Sequence, residues 1–157
     1  MSDPVLYLVR HAKAGSRSDW EGDDALRPLS KAGDRQAGAI ARRLQKRGAT
    51  TLVSSPAVRC VQTLEPLAHL LSQPVGTDER LGEGTSFPAV LELCAELPDG
   101  AVMCSHGDVI PELLDALVRR GCELTSPPDW RKASTWVLRR DADGTISSAK
   151  CWPPPDA

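Results

Sequence analysis

The sequence predicts an α/β fold, a three-layer sandwich in which a mostly parallel sheet carries helices on both faces and ends in an antiparallel C-terminal hairpin. Short apolar runs alternate with longer segments of helical periodicity through residue 121. A pair of β-type segments separated by a turn then closes the chain. We expect a single domain over residues 1–152 and a frayed, proline-rich tail over residues 153–157.

The first strand–helix unit begins with Val5–Val9, a continuous apolar run that predicts a strand buried on both faces. The segment Ala12–Leu29 has no period and contains glycine, aspartate and proline, which indicates a loop. Ser30 is a suitable N-cap for the helix that follows, and Gly48 stands where that helix should end. The apolar side of this helix consists of Ala37, Ile40, Ala41 and Leu44.

Two further units follow in the same order. Thr51–Val53 predicts a short strand, and Ser55 and Pro56 are the predicted cap and first residue of the next helix. Val75–Thr77 predicts a brief edge strand, and Pro88–Leu97 predicts a third helix. These segments extend the alternation that a parallel sheet requires.

The last unit pairs a buried strand, Ala101–Cys104, with a helix that Gly121 closes. Thr135–Leu138 and Thr145–Ile146 then predict the two strands of a hairpin joined by a turn at Asp141–Gly144. In open sheets of this kind ligands bind beyond the carboxyl ends of the parallel strands. Functional residues are therefore expected directly after those strands.

Composition excludes several classes of protein. Lys and Arg number 19 against 21 Asp and Glu, so the chain lacks the basic surplus of a nucleic-acid binder. We see no basic leader and no apolar run long enough to span a membrane, and we expect a cytoplasmic protein that binds neither nucleic acid nor membrane. The five cysteines form no Cys-x-x-Cys pair and are expected to be reduced core thiols.

Reactive residues follow three of the predicted strands. Arg10 and His11 come directly after the first strand, and Arg59 lies in the first turn of the helix after the second. His106 and Gly107 follow the strand of the last unit. Because the carboxyl ends of parallel strands share one edge of the sheet, we expect these residues to converge.

Two arginines and two histidines at one edge predict a phosphate site. The planar guanidinium groups of Arg10 and Arg59 match pairs of phosphoryl oxygens, and nearby helix N-termini add N–H donors. His11 is the candidate nucleophile, since Nε2 of a neutral imidazole can attack phosphorus when the other nitrogen donates to a carbonyl. A protonated His106 would donate to the equatorial oxygens, where charge lies in the transition state.

An acid is needed when an alkoxide departs, and two glutamates are candidates. Glu83 is preferred because flanking glycines let its backbone approach the site, although Glu79 stays open as the alternative. Glu79 stands beside Arg80 and is interpreted as half of an exposed ion pair. Four other basic residues either bind further phosphates of a nucleotide or are solvated surface charges: Lys13, Arg27, Arg131 and Lys132.

These residues and their surroundings resemble the histidine phosphatase superfamily, also called phosphoglycerate mutase-like. The resemblance lies in Leu8–Ala12, Arg27–Ser30, Ser54–Thr63 and Ser105–Gly107. The short chain and its opening Arg-His-Ala-Lys-Ala are more similar to the small, SixA-like phosphohistidine phosphatase branch. The resemblance implies a phosphohistidine intermediate on His11, phosphate held by Arg10, Arg59 and His106, and no metal or cofactor.

Other segments refine this resemblance. Val109–Pro111 and Arg131–Trp136 look like the phosphatase domain that some bacteria fuse to Nudix hydrolases, but this sequence has no Nudix box. Ala12 replaces the glycine of the family's Arg-His-Gly triplet, and Arg17 stands where mutases usually have an asparagine. Both departures argue against mutase activity.

We therefore predict a metal-independent phosphatase that hydrolyses a phosphomonoester, phosphoanhydride or phosphohistidine through an intermediate on His11. Its substrate would be a phosphorylated small molecule, a nucleotide or a phosphohistidine protein. One alternative is a noncatalytic phosphate-recognition or regulatory module, and another is a nucleotide or dinucleoside polyphosphate phosphatase that works with a separate Nudix hydrolase. A metal hydrolase using His11, His69 and His106 is disfavoured, because no ligand spacing such as His-Glu-x-x-His occurs.

Overall fold

The computed structural model describes residues 4–156 of the chain. These residues contain seven strands and four α-helices. The strands are β1 (Val5–Arg10), β2 (Leu52–Ser54), β3 (Val75–Thr77), β4 (Val102–Ser105), β5 (Glu123–Leu124), β6 (Thr135–Arg140) and β7 (Ile146–Trp152). The helices are α1 (Lys31–Lys46), α2 (Val58–Leu71), α3 (Phe87–Glu96) and α4 (Val109–Arg119). Two short 3₁₀ helices lie at Asp24–Leu26 and Glu79–Leu81.

All seven strands form one sheet in the order β3-β2-β4-β1-β6-β7-β5. Strands β1 to β4 run parallel to one another, and β6 joins β1 and β7 through antiparallel pairing. The predicted mixed α/β sheet with its antiparallel hairpin is confirmed. Strand β1 lies at the centre, with Tyr7 opposite Val102 of β4 on one side and Val137 of β6 on the other.

The central strand explains how two helical layers are held to one sheet. Val5, Tyr7 and Val9 of β1 pack with the apolar sides of α1 and α2. Leu6 and Leu8 point to the opposite face, where α3 and α4 pack. Because successive strand residues alternate between faces, a strand covered on both sides is apolar throughout, as the sequence Val5–Val9 predicted.

The predicted limits of α1 are confirmed. The Ser30 hydroxyl accepts a hydrogen bond from the Gly33 N–H at 3.1 Å, a cap that contributes on the order of 1 kcal/mol. Gly48 follows the helix with φ of +82°, a conformation that favours glycine.

The predicted start of α2 is wrong. The helix begins at Val58, and Ala57 occupies the N-cap without a side-chain bond. Ser55 is not the cap, because its hydroxyl is directed to His106 at 2.8 Å. Strand β5 and both 3₁₀ helices were also not predicted, since each is only two or three residues long.

The predictions for the two ends of the chain fall partly outside the described residues. Residues 1–3 of the predicted domain and Ala157 of the predicted tail lie outside the described residues. Within residues 4–156 the five cysteines are free and buried, as predicted. No helix in that range is both long and apolar enough to cross a membrane.

Candidate active site

The predicted convergence occurs at the carboxyl end of β1 and β4. A cavity of about 360 Å³ opens there, with Arg10 and His11 on one side and His106 and Gly107 on the other. Its remaining lining residues come from loops: Ala14, Gly15, Ser16, Arg17, Arg27, Glu83, Asp108 and Lys132. Arg59 joins Glu83 and His106 around an adjacent cavity of about 300 Å³.

His11 is held in one orientation. Its Nδ1–H donates to the Ala12 carbonyl at 2.8 Å, so Nε2 of the neutral ring carries the lone pair. The Ala12 N–H donates to the Thr63 hydroxyl at 3.0 Å, which helps to fix the residue whose carbonyl orients the ring. Because His11 is buried at the edge of the cavity, its Nε2 is placed as a nucleophile requires.

The surroundings of His11 keep it neutral. Burial lowers its pKa to about 3, and the positive charges of Arg59, His106 and Arg10 act in the same direction. The hydrogen bond to the Ala12 carbonyl opposes this shift without cancelling it. A histidine in this state is unprotonated throughout the neutral pH range.

Arg59 is buried in the first turn of α2. Its guanidinium donates to the Asp24 carbonyl at 2.9 Å and lies 3.3 Å from the Asp24 carboxylate. It also lies 3.8 Å from the Glu83 carboxylate. Asp24 belongs to the 3₁₀ helix Asp24–Leu26, so contacts with this short helix hold the Arg59 guanidinium in position.

His106 follows β4 and faces His11, with 5.6 Å between the ring centroids. Its Nε2 lies 2.8 Å from the Ser55 hydroxyl and 3.6 Å from the Cys60 thiol. Its Nδ1 is buried without a protein partner. This nitrogen is therefore the ring atom left to bind a ligand.

The side chain of Arg10 packs against Gly107. The guanidinium donates to the Trp130 carbonyl at 2.6 Å, and burial lowers the pKa of Arg10. A Cβ on Gly107 would stand 2.6 Å from Cζ of Arg10, which is shorter than any ordinary contact. The observed position of the Arg10 guanidinium therefore requires glycine at position 107.

Polar atoms without partners concentrate at this edge. Four buried side-chain nitrogens in the described residues have no hydrogen-bond partner: Nε of Arg10, Nε of Arg59, Nδ1 of His106 and Nε1 of Trp136. Three of them belong to the site. Since buried polar groups are normally satisfied, this concentration of donors indicates a site suited to an oxygen-rich ligand such as an oxyanion.

Glu83 lies at the side of the cavity, as the preferred acid should. Its loop is fixed to the end of β4, because Asp108 accepts from the Gly84 N–H at 2.8 Å and Ser105 donates to the Leu81 carbonyl at 2.6 Å. Glu79 is exposed and does not line the cavity. The predicted Glu79–Arg80 pair is wrong, because Arg80 reaches three other carboxylates: Asp78, Glu92 and Glu96.

The four additional basic residues differ in their surroundings. Arg27 is buried and donates to the Gly15 carbonyl and to Asp24, so it is no solvated surface charge. Lys13 is exposed, and its backbone N–H donates to Gln36. Arg131 is exposed and paired with Asp129 at 2.6 Å, whereas Lys132 is half-buried in the cavity wall.

Several contributors to the site escaped sequence reasoning. Ser55 was assigned to a helix cap, and Asp24 was part of a loop without a pattern. Lys132 comes from the segment between β5 and β6, which follows none of the parallel strands β1 to β4. Pairing of the predicted C-terminal hairpin with β1 was the signal that could have placed Lys132. Antiparallel pairing of β6 with β1 brings Ser134, two residues after Lys132, next to Arg10.

The described residues contain no group of three or more His, Cys, Asp or Glu side chains arranged to hold a metal ion. His69 is exposed on α2.

Fold and site together define a class of protein, an α/β protein with an oxyanion site built on paired histidines and arginines. Comparison with known families is specific: the profile of the histidine phosphatase superfamily (branch 1) matches residues 6–85. The chain therefore belongs to the histidine phosphatase superfamily, and the predicted resemblance is confirmed.

Individual relatives agree with this membership. The chain is 39% identical to an 8-oxo-(d)GTP phosphatase of Mycolicibacterium smegmatis over 97% of its own length. It spans about half of that relative, 49%. Over 50% of the chain it is 35% identical to a phosphoglycerate mutase-type protein, GpmB of Yersinia pestis, of which 37% is covered.

Solved structures show the same fold. A SixA-type phosphohistidine phosphatase structure from Nakamurella multipartitia superposes with a TM-score of 0.70 at 26% identity. The match covers 94% of this chain and 92% of the other. These comparisons support a phosphatase function acting on a phosphorylated substrate.

Proposed function

We propose that this chain is a metal-independent phosphatase that transfers a phosphoryl group to Nε2 of His11 and then to water. One observation carries the proposal: the Nδ1–H of His11 donates to the Ala12 carbonyl at 2.8 Å, which leaves the lone pair on Nε2. The low pKa of His11, about 3, keeps that lone pair available at neutral pH. Mere recognition of phosphate would not require a neutral imidazole among positive charges.

In the first step Nε2 of His11 forms a bond to phosphorus while the bond to the leaving oxygen breaks. Arg10, Arg59 and His106 donate to the three equatorial oxygens, with their unpartnered nitrogens as the available groups. Glu83 gives a proton to an alkoxide leaving group.

In the second step water attacks the phosphohistidine. Glu83, now ionised, takes a proton from the water molecule, and the bond between phosphorus and Nε2 of His11 breaks. Inorganic phosphate leaves and the imidazole is neutral again. Gly107, Lys13 and Arg27 are proposed to support substrate binding around this centre.

The substrate remains open among a phosphorylated small molecule, a nucleotide and a phosphohistidine protein. The name of the mycolicibacterial relative favours a nucleotide, and the likeness to the SixA-type structure favours a phosphohistidine. We further propose a cytoplasmic protein with one catalytic domain over residues 1–152. Neither nucleic acid nor membrane is proposed as a partner, in keeping with the formal net charge of -2.

Phosphate release with and without EDTA tests the reaction. The panel contains p-nitrophenyl phosphate, sugar phosphates, nucleoside mono-, di- and triphosphates, dinucleoside polyphosphates and a phosphohistidine protein. We expect EDTA-resistant release that His11→Ala lowers by about a thousandfold or more. His69→Ala is the matched control, because His69 is exposed on α2 and should leave the rate unchanged.

Two outcomes would reject the proposal. Full activity of His11→Ala would remove the nucleophile, and complete loss with EDTA would indicate a metal-dependent reaction. Absence of turnover across the panel, with inorganic phosphate still bound, would favour the phosphate-recognition module instead.

A further inference from the structure

A further cavity, of about 540 Å³, is distinct from the cavity of about 300 Å³ beside Arg59 and is called the second cavity below. It shares Arg10 and Lys132 with the cavity that contains His11. Pro154 and Pro155 of the C-terminal segment line its other side. Its volume falls within the range of small-molecule sites. Apart from Arg10 and Lys13, the proposed transfer of a phosphoryl group to His11 uses none of its lining residues.

Lys132 stands between the two cavities without a counter-ion. It is half-buried, and within residues 4–156 no carboxylate forms an ion pair with it. Burial lowers the pKa of Lys132, and the positive charges of Arg10, Arg27, Arg17 and Arg59 lower it further. A bound anion would offset this repulsion and stabilise the charged ammonium group.

The backbone fixes Lys132 relative to the nucleophile. The next residue, Ala133, donates its N–H to the carbonyls of Arg10 and His11, each at 3.1 Å. The Arg10 N–H donates to the Ser134 carbonyl at 3.0 Å. Ala133 adopts φ of +70°, a conformation that costs a non-glycine residue energy and is held here by these bonds. Lys132 is therefore a built part of the site.

The charge balance of the second cavity also favours an anion. Lys13 and Lys132 line it, and neither forms an ion pair in the described part of the chain. Arg131 is already paired with Asp129. Among the described residues that line it, Asp156 is the one with a carboxylate side chain.

We propose that the second cavity binds the remaining phosphate of a substrate in which that phosphate is joined to the transferred phosphoryl group by an anhydride bond. The preferred substrates are then organic di- and triphosphates rather than monoesters. This inference rests on the proposed reaction at His11 and names its substrate class. Lys132 contacts the remaining phosphate at the boundary of the two cavities, and Lys13 contacts it from the α1 side.

The reaction balances without a proton from the protein. Nε2 of His11 forms a bond to the terminal phosphorus, and the bond from that phosphorus to the bridging oxygen breaks. The electron pair stays on the departing phosphate, where the charges of Lys132 and Lys13 stabilise it. Glu83 is then needed only to activate the water that hydrolyses the phosphohistidine.

Substrate-dependent kinetics test the inference. We would measure kcat/KM for guanosine diphosphate and for p-nitrophenyl phosphate with the wild type, Lys132→Gln and Lys132→Arg. Lys132→Gln should lower the value for guanosine diphosphate by about 10- to 100-fold, the loss of one or two charged hydrogen bonds. The value for p-nitrophenyl phosphate should fall by less than about threefold, because only a screened charge is removed. Lys132→Arg should recover much of the loss.

Two further variants make the kinetic test decisive. Lys46→Gln removes a lysine from the exposed end of α1 and should leave both substrates unaffected. Lys13→Gln should repeat the selective loss to a smaller extent, and it does not depend on the fold around Ala133. Equal losses on both substrates, or no loss on either, would overturn the inference.

Binding gives a readout that is independent of turnover. Calorimetry would compare inorganic pyrophosphate with inorganic phosphate in His11→Ala and in the double variant that also carries Lys132→Gln. We expect pyrophosphate to bind about tenfold more tightly or better, and this advantage to disappear in the double variant. An advantage that persists would contradict the second site. If the wild type hydrolyses neither substrate, the proposed reaction fails while calorimetry still decides on the cavity.

Discussion

The site has two regions that differ in burial and in origin. The floor consists of His11, Arg59 and His106, together with Arg10 and Gly107 beside them. The rim consists of Arg17, Glu83 and Lys132. The side chain of Arg59 is 2% exposed, whereas those of Arg17 and Glu83 are 66% and 53% exposed. Floor residues follow parallel strands or begin a helix, and rim residues come from loops.

This difference separates two tasks. The floor is buried and fixed by its own bonds, such as those from His11 to Ala12 and from Ser55 to His106. Preorganised groups of this kind act on the reacting phosphoryl group, whatever is attached to it. The rim is exposed or half-buried and meets the rest of the substrate. Changes in the floor should therefore impair every substrate, and changes in the rim should depend on the substrate.

After His11→Ala, the largest expected effect is at Arg59. Arg59→Ala should lower kcat/KM by about 100- to 1,000-fold on all substrates, because one donor to the transition state is lost. Arg17→Ala is the matched rim variant, and it should cost only a few-fold because its ion pairs with Asp24 and Glu83 are exposed. Steady-state kinetics on three substrates would check both. A larger effect of Arg17→Ala would abolish the distinction between the two regions.

Glu83 should show a clear dependence on the leaving group. Glu83→Gln should lower the rate for an alkyl phosphate by about 100-fold, since alkoxide departure requires a proton. The first step with p-nitrophenyl phosphate should change much less, because its leaving group departs as an anion, whereas hydrolysis of the phosphohistidine should slow for both substrates. Presteady-state kinetics would separate the first step from hydrolysis of the intermediate. Glu79→Gln serves as the control, and a loss with that variant would reassign the acid.

Gly107 gives a steric test of the floor. Gly107→Ala places a Cβ 2.6 Å from Cζ of Arg10 and should displace the guanidinium, with a loss of about 10- to 100-fold in kcat. Gly15 lines the same cavity, and a Cβ at this position would have no atom within 4 Å. Gly15→Ala should therefore leave kcat nearly unchanged. Comparable activity of the two variants would show that the place of Arg10 is unimportant.

The smallest effect concerns stability against pH. The folded His11 has a pKa of about 3, below its ordinary value of 6.5. Between these values the unfolded chain takes up a proton that the folded chain does not, so stability falls as the pH drops below 6.5. The loss approaches about 1.4 kcal/mol per pH unit at most.

Urea unfolding of the wild type and of His11→Gln at pH 7, 5.5 and 4.5 would measure this loss, with His69→Gln as the control. The wild type should lose more stability than His11→Gln as the pH falls. Parallel losses in the two proteins would show that His11 titrates normally.

The floor was predictable from the sequence and most of the rim was not. Arg10, His11 and His106 directly follow apolar runs, and the alternation of strands with helices places those ends together. Lys132 lies in a segment with no period, and its position depends on β6 pairing antiparallel with β1. The role of Ser55 was hidden for another reason, because a serine before a helix is usually its cap.

Glu83 is an intermediate case. Its flanking glycines indicated a loop able to approach the site, which the structure bears out. Its contacts with Arg17 and Arg59 depend on loops from two distant parts of the chain, and no local pattern encodes them.

The central claim is that His11 carries the phosphoryl group. Rapid quenching of the wild type with a substrate that turns over, followed by intact-mass and peptide mapping, tests it most directly. We predict an acid-labile, alkali-stable phosphoryl adduct on the peptide that contains His11, absent in His11→Ala and present in His69→Ala. Turnover without an adduct at His11, or an adduct on another residue, would contradict the account.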